Sequence, residues 1–212
     1  SNDPLVYTYD DEKISIRFAL ATFYYATGGD NWTTNHLWLS DLDECLWFTS
    51  SADSPCTKEG RYSRLVLTDN NLEGVLPDEL SLLSNSLVNL DLDGTFTGEI
   101  PLNIGDLTKL TTLRLSGRAL SGEVPNSLYT LSNLSSLDLG QNVLSGKFSG
   151  AIAIMSSSLT SLSLTSNQFT GSIPGEIGQL TGLKNLNLAD NYFNFVSHAD
   201  LGRLTKLEML SI

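Results

Sequence analysis

The sequence predicts an α/β solenoid, in which short repeated units stack along one axis and share a continuous core. A period of about 24 residues runs through most of the chain, and each unit opens with leucines in strand-like alternation. A glycine and an Ile-Pro or Val-Pro pair follow at fixed places in most units. Because one unit cannot bury its own leucines, the units must stack on one another.

The opening leucines divide the chain into a cap and a row of repeats. They stand 24 or 25 residues apart at Leu110, Leu134, Leu159, Leu183 and Leu207. The unit that opens at Leu87 is one residue shorter, and the first unit has Tyr62 in the leucine place. We therefore predict an amino-terminal capping region over residues 1–61 and repeats over residues 62–212, with six units and the start of a seventh.

Each unit should contribute one strand to a parallel sheet on the concave face. Leucines two residues apart indicate a short strand with one buried side, and neighbouring strands should pair about 4.8 Å apart. The asparagine that follows the strand, as at Asn142 and Asn167, can bond backbone groups of neighbouring turns. Proline fixes φ and lacks an amide donor, so we expect irregular or 3₁₀ turns on the convex side.

Residues 62–212 resemble the plant-specific leucine-rich repeat, whose pattern reads LxxLxLxxNxLSGxIPxxLGxL. The segments 111–125 and 161–174 follow that pattern closely. Arg118 stands in the asparagine place of one repeat, and Phe148 with its neighbours replaces the Ile-Pro step of another. The sixth repeat lacks both glycine and proline around Asn194.

The capping region should hold a helix and an aromatic cover. Residues 10–26 carry apolar or small side chains at helical spacing, and Gly28-Gly29 ends the predicted helix. These residues are Ile14, Phe18, Ala21, Thr22 and Tyr25. Trp32, Trp38 and Trp47 follow, and we expect them to cover the open end of the first repeat.

The sequence motif Ala-Thr-Gly-Gly-Asp-Asn-Trp at residues 26–32 is followed by Trp-Leu and Cys-Leu-Trp motifs. This succession resembles the cap of secreted plant leucine-rich-repeat proteins. It is closer still to repeat proteins of diatoms and other algae. The cap cysteines of that family are disulfide-bonded, which implies a bond between Cys45 and Cys56 and an oxidising compartment. The residues alone leave two free thiols as the alternative, and residues 50–54 resemble an insertion.

Two Asn-x-Ser/Thr triplets begin at Asn31 and Asn133, and both are candidate N-glycosylation acceptors. Such triplets also arise by chance. Together with the cap and the cysteines, they favour an extracellular or cell-surface glycoprotein of the secretory pathway.

The charge balance disfavours several partners. Twelve basic and 24 acidic residues give a net charge of −12, which should repel nucleic acid and anionic membranes. No apolar run approaches the roughly 20 residues of a membrane span. Because no polar cap closes the seventh repeat, we expect the native protein to continue, and any membrane contact to lie in a segment outside this chain.

The residues that could carry chemistry are few. Two histidines, His36 and His198, fall in the cap and the sixth repeat, so they should lie too far apart for a catalytic relay. Neither zinc-ligand spacing nor a nucleotide-binding glycine motif is present. We therefore predict no enzymatic activity, no cofactor and no metal.

The predicted binding surface is the concave sheet. Side chains between the strand leucines should point onto it. The central column holds Val66, Asp91, Arg114, Asp138, Ser163 and Asn187. The two acids beside Arg114 can pair with it across strands, either as structure or as part of a site. The concave columns lack Trp, Tyr and Phe, the usual interface anchors. Three alternatives follow: affinity is modest, the anchors lie on an edge, or this stretch is the spacer part of a longer array.

These observations predict a macromolecular recognition module that binds a protein, peptide or glycan. The resemblance implies an ectodomain like those that serve plant receptor kinases and their co-receptors. Two alternatives stay open, a secreted inhibitor of a cell-wall-degrading enzyme and a structural or adhesive component of a wall or matrix.

Overall fold

The computed structural model describes residues 10–47, 54–117, 119–195 and 197–212, and the predicted solenoid is confirmed. The helices and strands are α1 Asp11–Ala26, β1 Arg64–Val75, β2 Asn89–Thr97, β3 Thr112–Ser116, β4 Ser136–Asp138, β5 Ser145–Lys147, β6 Ser161–Ser163, β7 Gln168–Ser172, β8 Asn185–Asn187, β9 Tyr192–Phe195, α2 His198–Leu201 and β10 Met209–Ser211. Five 3₁₀ turns line the convex side, at Asp78–Leu83, Leu102–Asp106, Asn126–Thr130, Gly150–Met155 and Gly175–Gln179.

Seven strands form the parallel sheet in the order β1-β2-β3-β4-β6-β8-β10. The register sets leucine against leucine at each step, for example Leu90 against Leu113 and Leu113 against Leu137. These leucines are fully buried or nearly so, because each repeat places them against the same positions of its neighbours. The core is therefore one continuous column under the sheet.

A second, three-stranded parallel sheet of β5, β7 and β9 was not predicted. Its strands span the glycine place of the later repeats, with Gly146 in β5, Gly171 in β7 and Phe193 in register with Gly171 in β9. Beneath it runs a row of aromatic rings, with ring centroids 6.2 Å apart for Phe148 and Phe169 and 6.1 Å apart for Phe169 and Phe193. Phe148, which replaces the usual Ile-Pro step, is buried in this row, so its departure from the pattern is accommodated by packing.

The predicted asparagine ladder is present. The Asn142 Nδ2 donates to the carbonyl of Leu115 at 2.8 Å, and its Oδ1 accepts from the amide of Leu120 at 3.2 Å. Both partners lie in the preceding repeat. Asn167 makes the equivalent pair of bonds with the repeat before it. Each turn is thus tied backward to its predecessor.

The cap supplies the predecessor that the first repeat lacks. Asn70 occupies the ladder position of that repeat, and its Oδ1 accepts from the Thr34 amide at 2.7 Å. Its Nδ2 donates to the Thr34 carbonyl at 3.2 Å. The backbone of the cap at Thr34 therefore imitates the turn of a preceding repeat.

Helix α1 packs on the first convex turn, Asp78–Leu83, and the Asp10 side chain caps its first turn by accepting from the Lys13 amide at 2.8 Å. Its buried face is Ile16, Ala19, Leu20, Phe23 and Tyr24. Ile14, Phe18 and Tyr25, whose spacing predicted the helix, are instead exposed. The spacing predicted the helix correctly but did not identify its core face.

The aromatic cover of the cap is also present. Trp32, Trp38 and Trp47 are buried, with ring centroids 4.9 Å apart for the first two and 5.8 Å apart for the last two. Cys45 and Cys56 form the disulfide that the resemblance implied, with Cα atoms 5.5 Å apart. Most of the predicted insertion at 50–54, and the pattern departures at Arg118 and Val196, lie outside the described residues.

The boundary between residues 61 and 62 stays a prediction, because cap and repeats share one hydrophobic core. None of the helices in the described ranges combines the length and the apolar character that crossing a membrane requires.

Candidate functional site

The concave sheet carries the predicted central column as one continuous row. Asp91 pairs in register with Val66 on one side and with Arg114 on the other. The row continues from Arg114 through Asp138, Ser163 and Asn187. The structure therefore brings together every residue that the sequence placed in this column, whereas their role in binding stays a prediction.

Arg114 lies between two carboxylates at the centre of the row. Its Nε is 3.3 Å from Asp138 Oδ2, and its Nη1 is 3.9 Å from Asp91 Oδ2. The Arg114 side chain keeps 51% of its surface exposed. Exposed pairs of this kind contribute about 0–1 kcal/mol to folding. The two carboxylates therefore position the guanidinium, which stays exposed and adds little to stability.

The two carboxylates differ in how well they are satisfied. Asp138 Oδ1 accepts from the amide of Gly140 at 2.9 Å, in addition to the contact with Arg114. Asp91 Oδ1 is buried and has no hydrogen-bond partner among the residues that the structure describes, and the same holds for Asn89 Oδ1 on the same strand. Burial raises the pKa of the Asp91 carboxyl above 3.8; Arg114 opposes this rise, and Asp138 reinforces it.

The charge on the concave columns is confined to the first four strands of the sheet. Arg64, Asp91, Asp93, Arg114 and Asp138 lie there. The columns on β6, β8 and β10 are uncharged, with serine and asparagine in register from Ser161 to Asn185 and from Ser163 to Asn187. The concave surface therefore has a charged half and a neutral, hydroxyl-rich and amide-rich half.

Exposed aromatic side chains lie on the cap helix and at the edge of the second sheet, and none lies on the concave columns of the described residues. Tyr192 and Phe195 on β9 are 69% and 63% exposed, at the edge of the second sheet. Sequence reasoning missed them as surface candidates because it did not predict that sheet. The available signal was the group of three aromatic residues in four positions, Tyr192, Phe193 and Phe195, of which only Phe193 is half-buried.

Both sequon asparagines are exposed and lie outside the concave columns. The backbone carbonyl of Asn31 accepts from Asn71 Nδ2 at 3.1 Å, next to the buried Trp32. Asn133 Nδ2 donates to the Thr108 carbonyl of the preceding repeat at 2.8 Å. Glycan attachment at either position stays a prediction.

The described ranges contain no group of three or more His, Cys, Asp or Glu residues that could hold a metal ion. His36 lies in the cap and His198 begins α2, as the repeat spacing predicted. The site that the structure offers is therefore a surface of ion pairs and hydrogen-bonding groups.

Comparison with known proteins agrees with this architecture. The leucine rich repeat family model matches residues 157–212. The receptor kinase-like protein Xa21 of Oryza sativa subsp. japonica is 40% identical over 89 residues, which are 40% of this chain and 8% of that protein. The chain thus spans less than a tenth of the length of this curated relative.

Solved structures extend the likeness to nearly the whole chain. The Arabidopsis receptor kinase HAESA, in complex with the peptide hormone IDA and the co-receptor SERK1, gives a TM-score of 0.80 at 26% identity over 96% of this chain and 33% of that one. The GASSHO1/SCHENGEN3 ectodomain of Arabidopsis thaliana gives 0.80 at 29% identity over 92% and 23%. A plant ice-binding protein gives 0.73 at 30% identity over 85% and 57%.

The stacked strands, the asparagine ladder and these similarities identify the fold as a leucine-rich-repeat solenoid. Its architecture is similar to that of the plant receptor kinases HAESA and GASSHO1/SCHENGEN3, of whose solved chains it spans about a third or less.

Proposed function

We propose that this chain is a recognition module of an extracellular or cell-surface protein, and that it binds a peptide or protein on its concave sheet. The observation that carries the proposal is Arg114, half-exposed between Asp91 and Asp138 at the centre of a continuous row. The row gives a partner both signs of charge on a rigid frame.

The stability of the fold does not require this arrangement. The three side chains stand above the leucine core, and exposed ion pairs add about 1 kcal/mol or less to folding. Extended concave surfaces are the usual binding faces of solenoid proteins. A partly compensated charge row at the centre of such a face is more consistent with recognition than with folding.

The similar solved structures support the class of partner and the compartment. HAESA is solved with a peptide hormone and a co-receptor, and GASSHO1/SCHENGEN3 with CASPARIAN STRIP INTEGRITY FACTOR 2. The Cys45–Cys56 disulfide is consistent with an oxidising compartment. A glycan on the same face is the alternative partner.

A capture experiment with a charge-matched control tests the proposal. The bait is the glycosylated chain, offered to the surface and secreted proteins of the source organism. One variant reverses the concave charges through Asp91→Lys, Arg114→Glu and Asp138→Lys.

The control variant carries Glu99→Lys, Glu123→Lys and Lys147→Glu, which reverse the same number of each sign at exposed positions outside the concave columns. A partner lost only in the concave variant supports the proposal. A partner retained by both variants moves the site to the cap, the edges or another part of the protein, and the proposal fails.

Binding to ice is a second candidate function, which the neutral half of the concave sheet favours. Ser161, Ser163, Asn185 and Asn187 form an uncharged array on parallel strands, with a repeat of about 4.8 Å between strands. The similar plant ice-binding protein has the largest share of its own length, 57%, covered among the structures described above.

Inhibition of ice recrystallisation tests this second candidate. Ser163→Lys with Asn187→Lys should abolish the inhibition, because two ammonium groups would break the neutral array. Gln168→Lys with Thr170→Lys places the same charges on the exposed second sheet and should leave the inhibition unchanged. An unmodified chain without inhibitory activity rules this function out.

A further inference from the structure

We infer that the charged half of the concave sheet receives a positively charged group, the guanidinium or ammonium of a basic peptide segment, with Asn89 and Asp91 as its acceptors. This inference rests on the proposed binding role of the concave sheet and names the chemistry of the partner.

The two acceptors are unsatisfied in the folded chain. Asn89 Oδ1 and Asp91 Oδ1 are both buried without a hydrogen-bond partner among the described residues. Residues two apart on a strand face the same side, so both oxygens belong to the concave side of β2. A buried acceptor without a donor destabilises the free protein, and a bound donor would relieve that penalty.

The neighbours of Asp91 do not supply the missing donor. On the β1 side, Asp91 is in register with Val66, whose side chain has no donor. On the β3 side, Arg114 Nη1 is 3.9 Å from Asp91 Oδ2, beyond hydrogen-bond distance. The Arg114 Nε is directed to Asp138 instead, at 3.3 Å.

The carboxylate of Asp91 is nevertheless reachable from the concave side. Its side chain keeps 20% of its surface exposed. A donor that enters over β2 can therefore meet this carboxylate after a rotation of the side chain. Asp138, by contrast, already accepts from Gly140 and Arg114, which makes Asp91 the better anchor.

The local charge also selects a cation. The concave columns of β1 to β4 hold the acids Asp91, Asp93 and Asp138 and the bases Arg64 and Arg114, which leaves 2 − 3 = −1. The whole chain carries −12, so the field of the protein acts in the same direction. A guanidinium or ammonium carries several N–H donors and no acceptor, which suits a surface whose unsatisfied groups are acceptors.

Titration with small probes tests the inference without knowledge of the natural partner. The probes are the Nα-acetyl N-methylamides of arginine, lysine and glutamate, added to isotopically labelled full chain and followed by NMR. We expect the arginine and lysine probes to shift amide signals of β2 and β3 in a saturable way, and the glutamate probe to leave them in place.

Two variants locate the acceptors. Asp91→Asn should weaken binding of the arginine probe roughly tenfold, because it removes the charge of the anchor. Asn89→Ala should weaken binding by a smaller factor. Asp106→Asn removes one negative charge at an exposed position outside the sheet and should leave binding unchanged. The amide spectra of the variants report whether the fold is retained.

Each outcome decides the inference. Shifts by the glutamate probe alone, no shift by any probe, or equal binding by Asp91→Asn and the unmodified chain would overturn it. The result is separable from the capture experiment. If a captured partner depends on the concave charges but the concave sheet does not prefer the cationic probes, only this inference fails. If the sheet binds the cationic probes but no captured partner requires the concave charges, only the proposed function fails.

Discussion

Two clusters of charged side chains in this protein are alike in composition and differ in burial and hydrogen bonding. In the cap, Lys13 and Arg17 of α1 meet Asp43 and Glu44. On the concave sheet, Arg114 meets Asp91 and Asp138. Both clusters join acids and bases across distant parts of the chain. Burial and hydrogen bonding distinguish their roles.

The cap cluster is part of the fold. The Glu44 side chain keeps 5% of its surface exposed, and Arg17 Nη1 lies 3.4 Å from Glu44 Oε2. Arg17 also donates to the carbonyls of Ser40 and Leu42 and stacks 4.5 Å above the Trp47 ring. At least three hydrogen bonds and a ring contact hold this guanidinium within the protein, which makes it part of the fold.

The concave cluster has the opposite character. Arg114 keeps half of its surface exposed, and Asp91 retains an oxygen without a donor. The comparison teaches that a charged group belongs to the fold when its neighbours satisfy it, and is available for recognition when they do not. Four measurements can break or sharpen this comparison.

The largest effect is expected in the cap. Glu44→Gln removes the buried anion that Arg17 and Lys13 both contact, which should lower the free energy of unfolding by about 3 kcal/mol in urea denaturation. Glu208→Gln makes the same change in an exposed pair with Lys184, where we expect about 0.5 kcal/mol or less. Equal losses in the two variants would contradict the division between the clusters.

The disulfide next to Glu44 should contribute almost as much. Replacing both Cys45 and Cys56 by serine opens a short covalent loop and should lower the free energy of unfolding by about 2–3 kcal/mol. Reduction of the unmodified chain should reproduce the loss, which thermal unfolding with and without a thiol reductant can measure. An unfolding temperature insensitive to the reductant would show that the bond does not hold the cap.

The two clusters should respond to acid with opposite signs. In the cap, burial acts to raise the pKa of Asp43, but its bonds to Lys13 and to the Cys45 amide outweigh that effect and leave the pKa below 3.8. The stabilising contribution of Asp43 is therefore present at pH above its unfolded pKa and is lost as pH falls through its folded pKa. The pKa of the Asp91 carboxyl is instead raised in the folded chain. Its contribution to stability is therefore present at pH below its unfolded pKa and is lost as pH rises through its folded pKa.

This sign difference can be measured with one substitution at each site. Asp43→Asn should destabilise the protein at neutral pH, and Asp91→Asn should stabilise it, because the latter removes a poorly compensated buried charge. Both differences should shrink as the unmodified chain is taken well below pH 3.8, the ordinary carboxyl value. Chemical denaturation over a pH series provides the measurement. Differences of the same sign at neutral pH would refute the prediction.

The smallest effect on stability is expected at Arg114. Arg114→Gln should change the free energy of unfolding by about 0.5 kcal/mol or less, because its pairs are exposed and screened. The same variant should lose a partner captured by the concave face. A loss of stability as large as that of Glu44→Gln, measured in the same urea series, would mean that the concave cluster is structural.

The sequence predicted those features that depend on local spacing. The strand leucines and the asparagines recur at fixed intervals, and each role follows from alternation or from the need to satisfy a bend. The second sheet was missed because β5 and β7 consist mostly of small or polar residues without a strong apolar period, and the aromatic β9 has no counterpart among them. The buried face of α1 was ambiguous, since Ile14 and Phe18, like Ile16 and Leu20, stand four residues apart.

The candidate site could be predicted in part for a related reason. Alternation placed Asp91, Arg114 and Asp138 in one row, and the strand register confirms that placement. Which carboxylate is satisfied depends on distances of a few tenths of an ångström, such as the bond from Gly140 to Asp138. Contacts between distant segments, such as Arg17 with Glu44, leave no periodic signal either.

The backward direction of the asparagine ladder has a mechanical consequence. Asn142 and Asn167 each hold the turn behind them, and Asn70 holds the cap. If the chain is pulled from its carboxyl end, each coil that peels away takes its own asparagine with it, and the coils that remain keep the asparagine bonds among themselves. Under this load the repeats should unfold one after another from the carboxyl end, each at roughly the same force, until the cap is reached.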